Sequence, residues 1–133
     1  MLDYSLEIVG VYVGLNLLIN LYLAFRVSQN RVRTNLMTGT GDDDGLYNAN
    51  RAHVTNVEYT PIGLIGLIAL HLLAAPVLIL HVVGLALTLG RLLHAWALSR
   101  NAAQSTPPRL TGILLTWASQ LVAALACLWY ALT

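Results

Sequence analysis

The sequence predicts an all-α integral membrane protein, a bundle of four transmembrane helices. Three observations predict it. The chain is 57% hydrophobic and only 10% charged, whereas soluble domains carry about 25% charged residues. Its apolar residues gather into four runs, each near the roughly 20 residues that a spanning helix needs. Its seven cationic side chains, all arginine, crowd around two of the polar segments between those runs. Four spans use most of the 133 residues, so 1–133 reads as one domain.

The first helix is expected over about 5–27. Gly10 and Gly14 form a small-xxx-small pair on one face, and Asn16 and Asn20 share another. Both patterns suit helix packing. The acidic start, Asp3 to Glu7, lacks the positive region of a secretory signal, so this run is read as a retained span. A polar loop from Ser28 to about Leu46 follows, with Arg31, Arg33 and the triplet Asp42-Asp43-Asp44. The second helix is expected over 47–75. Pro76 then breaks the pattern, because proline has no N–H and clashes with the preceding turn, and Ala74-Ala75-Pro76 reads as a tight reversal. The third helix is expected over 77–99. A second polar loop ends at Pro107-Pro108, and proline favours helix starts, so the fourth helix is expected over 108–131. Trp129 and Tyr130 fall where an interfacial aromatic belt would lie.

Arg26, Arg31, Arg33 and Arg51 border the first loop; Arg91, Arg100 and Arg109 border the second. In a four-span protein both loops share one side. The positive-inside rule then places both loops in the cytoplasm and both termini outside.

Several functions are excluded. A net charge of +1 gives no footprint for nucleic acid. His53, His71, His81 and His94 show no compact metal-ligand spacing, and no serine sits in a nucleophile elbow. Cys127 has no partner for an intramolecular disulfide and reads as a small buried hydrophobe. A channel would need polar residues through its full depth. Here the charges stop at Glu58, about 10 Å below Arg51 at the helical rise.

The polar groups inside the spans carry the chemistry. Arg51, Thr55 and Glu58 are spaced four and three apart, on one face of the second helix. They form either a packing ion pair or a ligand site; an intramembrane ionisable group points to function by default. Arg91 and His94 are neighbours on the third helix. Arg91 either snorkels to the interface or joins the site, and His94 is either a core histidine or a ligand contact. Arg109 opens the fourth helix on the same membrane side as Arg51. Several cations with one carboxylate suit a small polyanion that also carries an ammonium group, as glutathione does.

The stretch Arg51-Ala-His53-Val-Thr-Asn56-Val-Glu58-Tyr59-Thr-Pro61 resembles the second-helix signature of the MAPEG family, the membrane-associated proteins of eicosanoid and glutathione metabolism. Gly90-Arg91-Leu-Leu-His94-Ala is similar to the family's third-helix end, and Arg109 to the arginine opening its fourth helix. The resemblance extends over essentially the whole chain and is that of a microbial-type member, in a bacterial inner membrane. It implies a homotrimer with sites between subunits at the cytosolic side, where glutathione is the cosubstrate. It implies that Arg51, Glu58 and Tyr59 hold glutathione's polar ends, that Arg31 and His94 add contacts, and that Arg109 is catalytic, beside the sulfur. The expected activity is that of a transferase or peroxidase acting on a lipophilic substrate from the membrane lipid. A non-catalytic lipid-binding or scaffold member is the alternative. One departure bears on this choice. The family's asparagine falls where this chain has Thr55; Asn56 comes one position later, rotated about 100° around the helix. Thr55 and Asn56 are both kept as candidate cofactor-binding residues. Leu98 stands where some eukaryotic members have tyrosine, so their substrate chemistry does not transfer.

Overall fold

A computed structural model describes residues 4–133; the acidic start at Asp3 lies outside the described residues. Four helices run α1 (Ser5–Thr34), α2 (Asp44–Leu72), α3 (Val77–Asn101) and α4 (Pro107–Leu132), and no strand occurs among the described residues. Three of them, α1, α3 and α4, are long and apolar enough to cross a membrane. The 29-residue α2 has the length, but its first half is polar. α2 and α3 form the middle of the bundle. α1 lies against both on one flank and α4 against both on the other, and the α3–α4 contact is the most extensive.

The distribution of side chains suits lipid as the solvent. Leu17, Leu18, Leu21, Phe25, Ile62, Ile65, Leu121, Leu125 and Leu128 are exposed, while Asn16, Asn56, Thr88, Thr116 and Ser119 are buried. A protein in water would not leave so large an apolar surface uncovered. In hydrocarbon, leucine gains nothing by moving from lipid to protein, so helix association relies on close packing and interhelical hydrogen bonds. The buried polar groups supply such bonds. Asn16 Nδ2 donates to Thr88 Oγ1 at 2.9 Å, joining α1 to α3. Asn56 Nδ2 donates to Asn20 Oδ1 at 3.3 Å, joining α2 to α1. Ser119 Oγ donates to the Val83 carbonyl at 2.8 Å, joining α4 to α3.

The reversal at Pro76 is observed, with Pro76 as the N-cap of α3. Ala74 stands there in the left-handed region (φ 55°). The loop between α1 and α2 is shorter than expected. α1 continues as helix through Ser28–Thr34, about two turns past the apolar run, so Arg31 and Arg33 are helical. Hydropathy marks where lipid ends, and a helix can continue into water beyond that point. Asn35 in the left-handed conformation (φ 54°) stops α1, and the Asp43 carboxylate caps α2 by accepting from Leu46 N at 2.7 Å. Asp43 also pairs with Arg33 at 2.6 Å.

Gly10 and Gly14 do not mediate packing within the chain; a Cβ on either would meet nothing within 4 Å. The close approach is elsewhere. A Cβ on Gly112 would meet His94 N at 2.6 Å and the Gly90 carbonyl at 2.8 Å. The backbones of α3 and α4 therefore touch, and that contact sets the candidate site.

Candidate functional site

The polar half of α2 presents Arg51, Thr55, Glu58 and Tyr59 to one cleft, as the four-then-three spacing requires. Across from them stand His94 from α3, Ser105 from the second loop, and Arg109, Leu110 and Ile113 from α4. The cleft has a volume of about 260 Å³. Its position follows from the glycine contact just described. With no side chain on Gly90 or Gly112, α4 approaches closely enough for His94 Nδ1 to meet the Arg109 carbonyl at 3.0 Å. A carbonyl oxygen can only accept, so this bond puts the proton on Nδ1 and leaves Nε2 as an acceptor in neutral histidine. Arg109 is held in turn. Its Nη1 donates to the carbonyls of Ala102 at 2.8 Å and Gln104 at 3.1 Å, closing off the end of α3.

Two arginines and one carboxylate thus line the same small cleft, Arg51 and Glu58 from α2 and Arg109 from α4. A third, Arg91, lies behind it. Arg91 is completely buried (0% exposed), and none of its three guanidinium nitrogens has a hydrogen-bond partner. Its guanidinium carbon lies 5.4 Å from the centre of the Tyr59 ring, a cation–π contact. The snorkelling alternative for Arg91 is therefore corrected: the side chain turns into the bundle behind the cleft. Thr55 Oγ1 is likewise buried without a partner, at the position where the family pattern has an amide.

Two expected site residues lie apart from the cleft. Asn56 is buried against α1, donating to Asn20 and accepting from Thr60 Oγ1 at 3.0 Å. The one-position shift rotates it off the site face. Arg31 sits at the end of α1, where Nη1 donates to the carbonyls of Leu36 at 3.2 Å and Gly39 at 3.0 Å. Leu98 is a core residue packed with Leu23, Ala52 and Ala95. Three lining residues were not anticipated: Ser105, Leu110 and Ile113. The i, i+1 and i+4 spacing of the last two from Arg109 was the available signal. No group of three or more potential metal ligands occurs among the described residues.

The MAPEG family model matches residues 9–129. The inner membrane protein YecN of Escherichia coli (strain K12) is 29% identical over 121 residues, covering 91% of this chain and 90% of that protein. YecN of Escherichia coli O6:H1 matches to the same extent. No solved structure matches the chain. With three helices apolar enough to span and inner membrane relatives on both counts, this is a multi-pass integral membrane protein, and it belongs to the MAPEG family.

Proposed function

We propose that this protein is a glutathione-dependent membrane enzyme, a transferase or peroxidase acting on lipophilic molecules that arrive from the bilayer. The observation that carries the reading is the convergence of Arg51, Glu58, Tyr59, His94 and Arg109 on one cleft from three helices. Glutathione has two carboxylates, one ammonium and one thiol. Arg51 can pair with a carboxylate through two parallel hydrogen bonds, and Glu58 with the ammonium group. Arg109 Nη1 is committed to the end of α3, and the rest of its guanidinium would face the sulfur. A cation there favours thiolate over thiol. In the transferase reaction the sulfur forms a bond to an electrophilic carbon, the leaving group departs with its electron pair, and the thiol proton passes to water. With a hydroperoxide the sulfur takes the terminal oxygen, the O–O bond breaks and the alkoxide leaves with the electron pair, taking up the thiol proton to become the alcohol. A second glutathione thiol then attacks the sulfenic sulfur, forming the disulfide and releasing water.

The reading includes an assembly. A cleft of about 260 Å³ falls below the roughly 300–1,000 Å³ typical of small-molecule sites. A neighbouring copy in a homotrimer would supply the missing wall. Arg31 would contribute from that neighbour, because only its Nη1 is engaged within its own chain. All four helices would cross the bilayer, α2 with its polar half against the site. The loop end of the bundle, where Arg26, Arg33, Arg51 and Arg100 border the two loops, would face the cytoplasm and the termini the outside, in a bacterial inner membrane.

The unpartnered Thr55 hydroxyl favours a second reading, in which the cleft has lost glutathione affinity and the protein binds lipid as a scaffold. Purified protein is assayed with glutathione and a chlorinated aromatic electrophile or a lipid hydroperoxide, and glutathione binding is measured by calorimetry. Turnover with saturable binding supports the enzyme. Neither turnover nor binding, with lipid copurifying, supports the scaffold.

A further inference from the structure

A second cleft, of about 650 Å³, lies between α1 and α3 and shares no residue with the first. Its two walls carry the same ladder. On α1, Leu18, Tyr22 and Arg26 follow one another at intervals of four residues; on α3, Leu92, Trp96 and Arg100 do the same. Both helices run toward the loop end of the bundle, so the two ladders stand in parallel. Each step is about 6 Å along the axis. The cleft therefore passes from apolar to aromatic to cationic over about 12 Å. That is the order of acyl chain, glycerol ester and phosphate along a phospholipid at the edge of a bilayer.

The cations are available. Arg26 makes one hydrogen bond, to the Tyr22 hydroxyl at 3.2 Å. Arg100 lies over the Trp96 ring, 4.3 Å from its centre. The only ion pair among the described residues is Arg33–Asp43, so neither arginine has a carboxylate. A neighbouring copy could offer few anions at this depth. Among the described residues the acids are Glu7 near the opposite end, the loop cluster Asp42–Asp44, and Glu58 in the other cleft. Basic clefts between helices on the positively charged side of a membrane protein suit anionic lipid head groups. We propose that the α1–α3 cleft is a binding site for an anionic phospholipid, with the phosphate held between Arg26 and Arg100 and an acyl chain along Leu18 and Leu92. The site is independent of the glutathione reading.

Trp96 reports on it directly. The full chain with Trp117→Phe and Trp129→Phe, which leaves Trp96 as its one tryptophan, is placed in nanodiscs. Quenching is compared between phosphatidylglycerol and phosphatidylcholine with brominated acyl chains. The proposal expects about a 30-fold preference for phosphatidylglycerol, from two interfacial cations each contributing about fivefold. Arg26→Gln or Arg100→Gln alone leaves about fivefold, and both together abolish it. Native mass spectrometry of the unmodified chain should show the same preference in retained lipid, which keeps the test open should the tryptophan variants fold poorly. Equal quenching by the two lipids would overturn the proposal. Absence of quenching by either would overturn it too, since the cleft would then be covered by protein. So would an equal loss in Arg33→Gln, which would indicate diffuse surface charge, or loss of the preference on adding inorganic phosphate, which would indicate a free-anion site.

Discussion

Replacing Gly112 with alanine tests what positions the candidate site. The new Cβ would stand 2.6 Å from His94 N, 2.8 Å from the Gly90 carbonyl and 2.9 Å from His94 Cα. All three atoms are backbone, so no side-chain rotation relieves the clash. Ordinary contact begins at 3.4 Å, so α3 and α4 must part by about 0.8 Å. The His94 Nδ1–Arg109 carbonyl bond, now 3.0 Å, then lengthens beyond hydrogen-bonding range. Overpacking of this kind costs about 1–3 kcal/mol, offset by up to about 1 kcal/mol from alanine's better helix propensity. A net loss of about 1–2 kcal/mol is expected. Gly66→Ala is the control, because its Cβ meets Ala123 Cβ at 3.4 Å, an ordinary contact; it should be neutral or slightly stabilising. Both variants are unfolded in detergent micelles, and glutathione binding is measured in parallel. If Gly112→Ala is as stable as Gly66→Ala and binds glutathione as the parent does, the backbone contact does not seat the site.

Other perturbations separate roles within and around the cleft. Arg109→Ala should lower kcat more than glutathione affinity in steady-state kinetics, whereas Glu58→Ala should raise the glutathione Kd with a smaller effect on kcat. Arg91→Met should leave unfolding stability equal or higher, because it replaces a buried guanidinium that lacks hydrogen-bond partners with an apolar side chain; a loss above about 2 kcal/mol would mean that the cation is well compensated. Ala74→Gly should stabilise by about 1 kcal/mol in the same unfolding assay, since it relieves a left-handed residue at the α2–α3 reversal. The α1–α2 loop should depend on pH. The bond from Arg33 and the Leu46 amide hold the Asp43 carboxyl below its usual range. A depressed carboxylate adds stability above its unfolded value of about 3.9 and loses it as pH falls through the lower folded value. Protection of the Leu46 amide from hydrogen exchange should therefore fall below about pH 4, and Asp43→Asn should remove that pH dependence.

Much of the bundle was legible because hydropathy and proline carry strong local signals. Pro76 and Pro107 sit where the breaks fall, and the start of α3 matches the expected residue. Ser28–Thr34 reads as loop because its residues are polar, yet helix formation needs no apolar environment once about six turns precede it. The cleft was legible where it lies on one helix, since the spacing of Arg51, Thr55, Glu58 and Tyr59 fixes their shared face. It was less legible across helices. Gly90 and Gly112 look like any other glycines in the sequence, and only the approach of α3 to α4 distinguishes them from Gly10 and Gly14, which contact nothing. Arg91 had two readings because periodicity gives a residue's direction around its helix and not what waits there. Asn56 follows the rule that one residue turns a side chain by about 100°, and it accordingly faces Asn20.

The proposed enzyme depends on glutathione binding in the cleft between α2, α3 and α4. Isothermal titration of the purified, detergent-solubilised protein with glutathione tests it most directly, alongside Arg51→Ala and Glu58→Ala. Saturable binding is expected, weakened by tenfold or more by either substitution, as for loss of a charge-assisted contact of about 1.5–3 kcal/mol. Absence of binding to the parent protein, or binding that both variants leave unchanged, would contradict it.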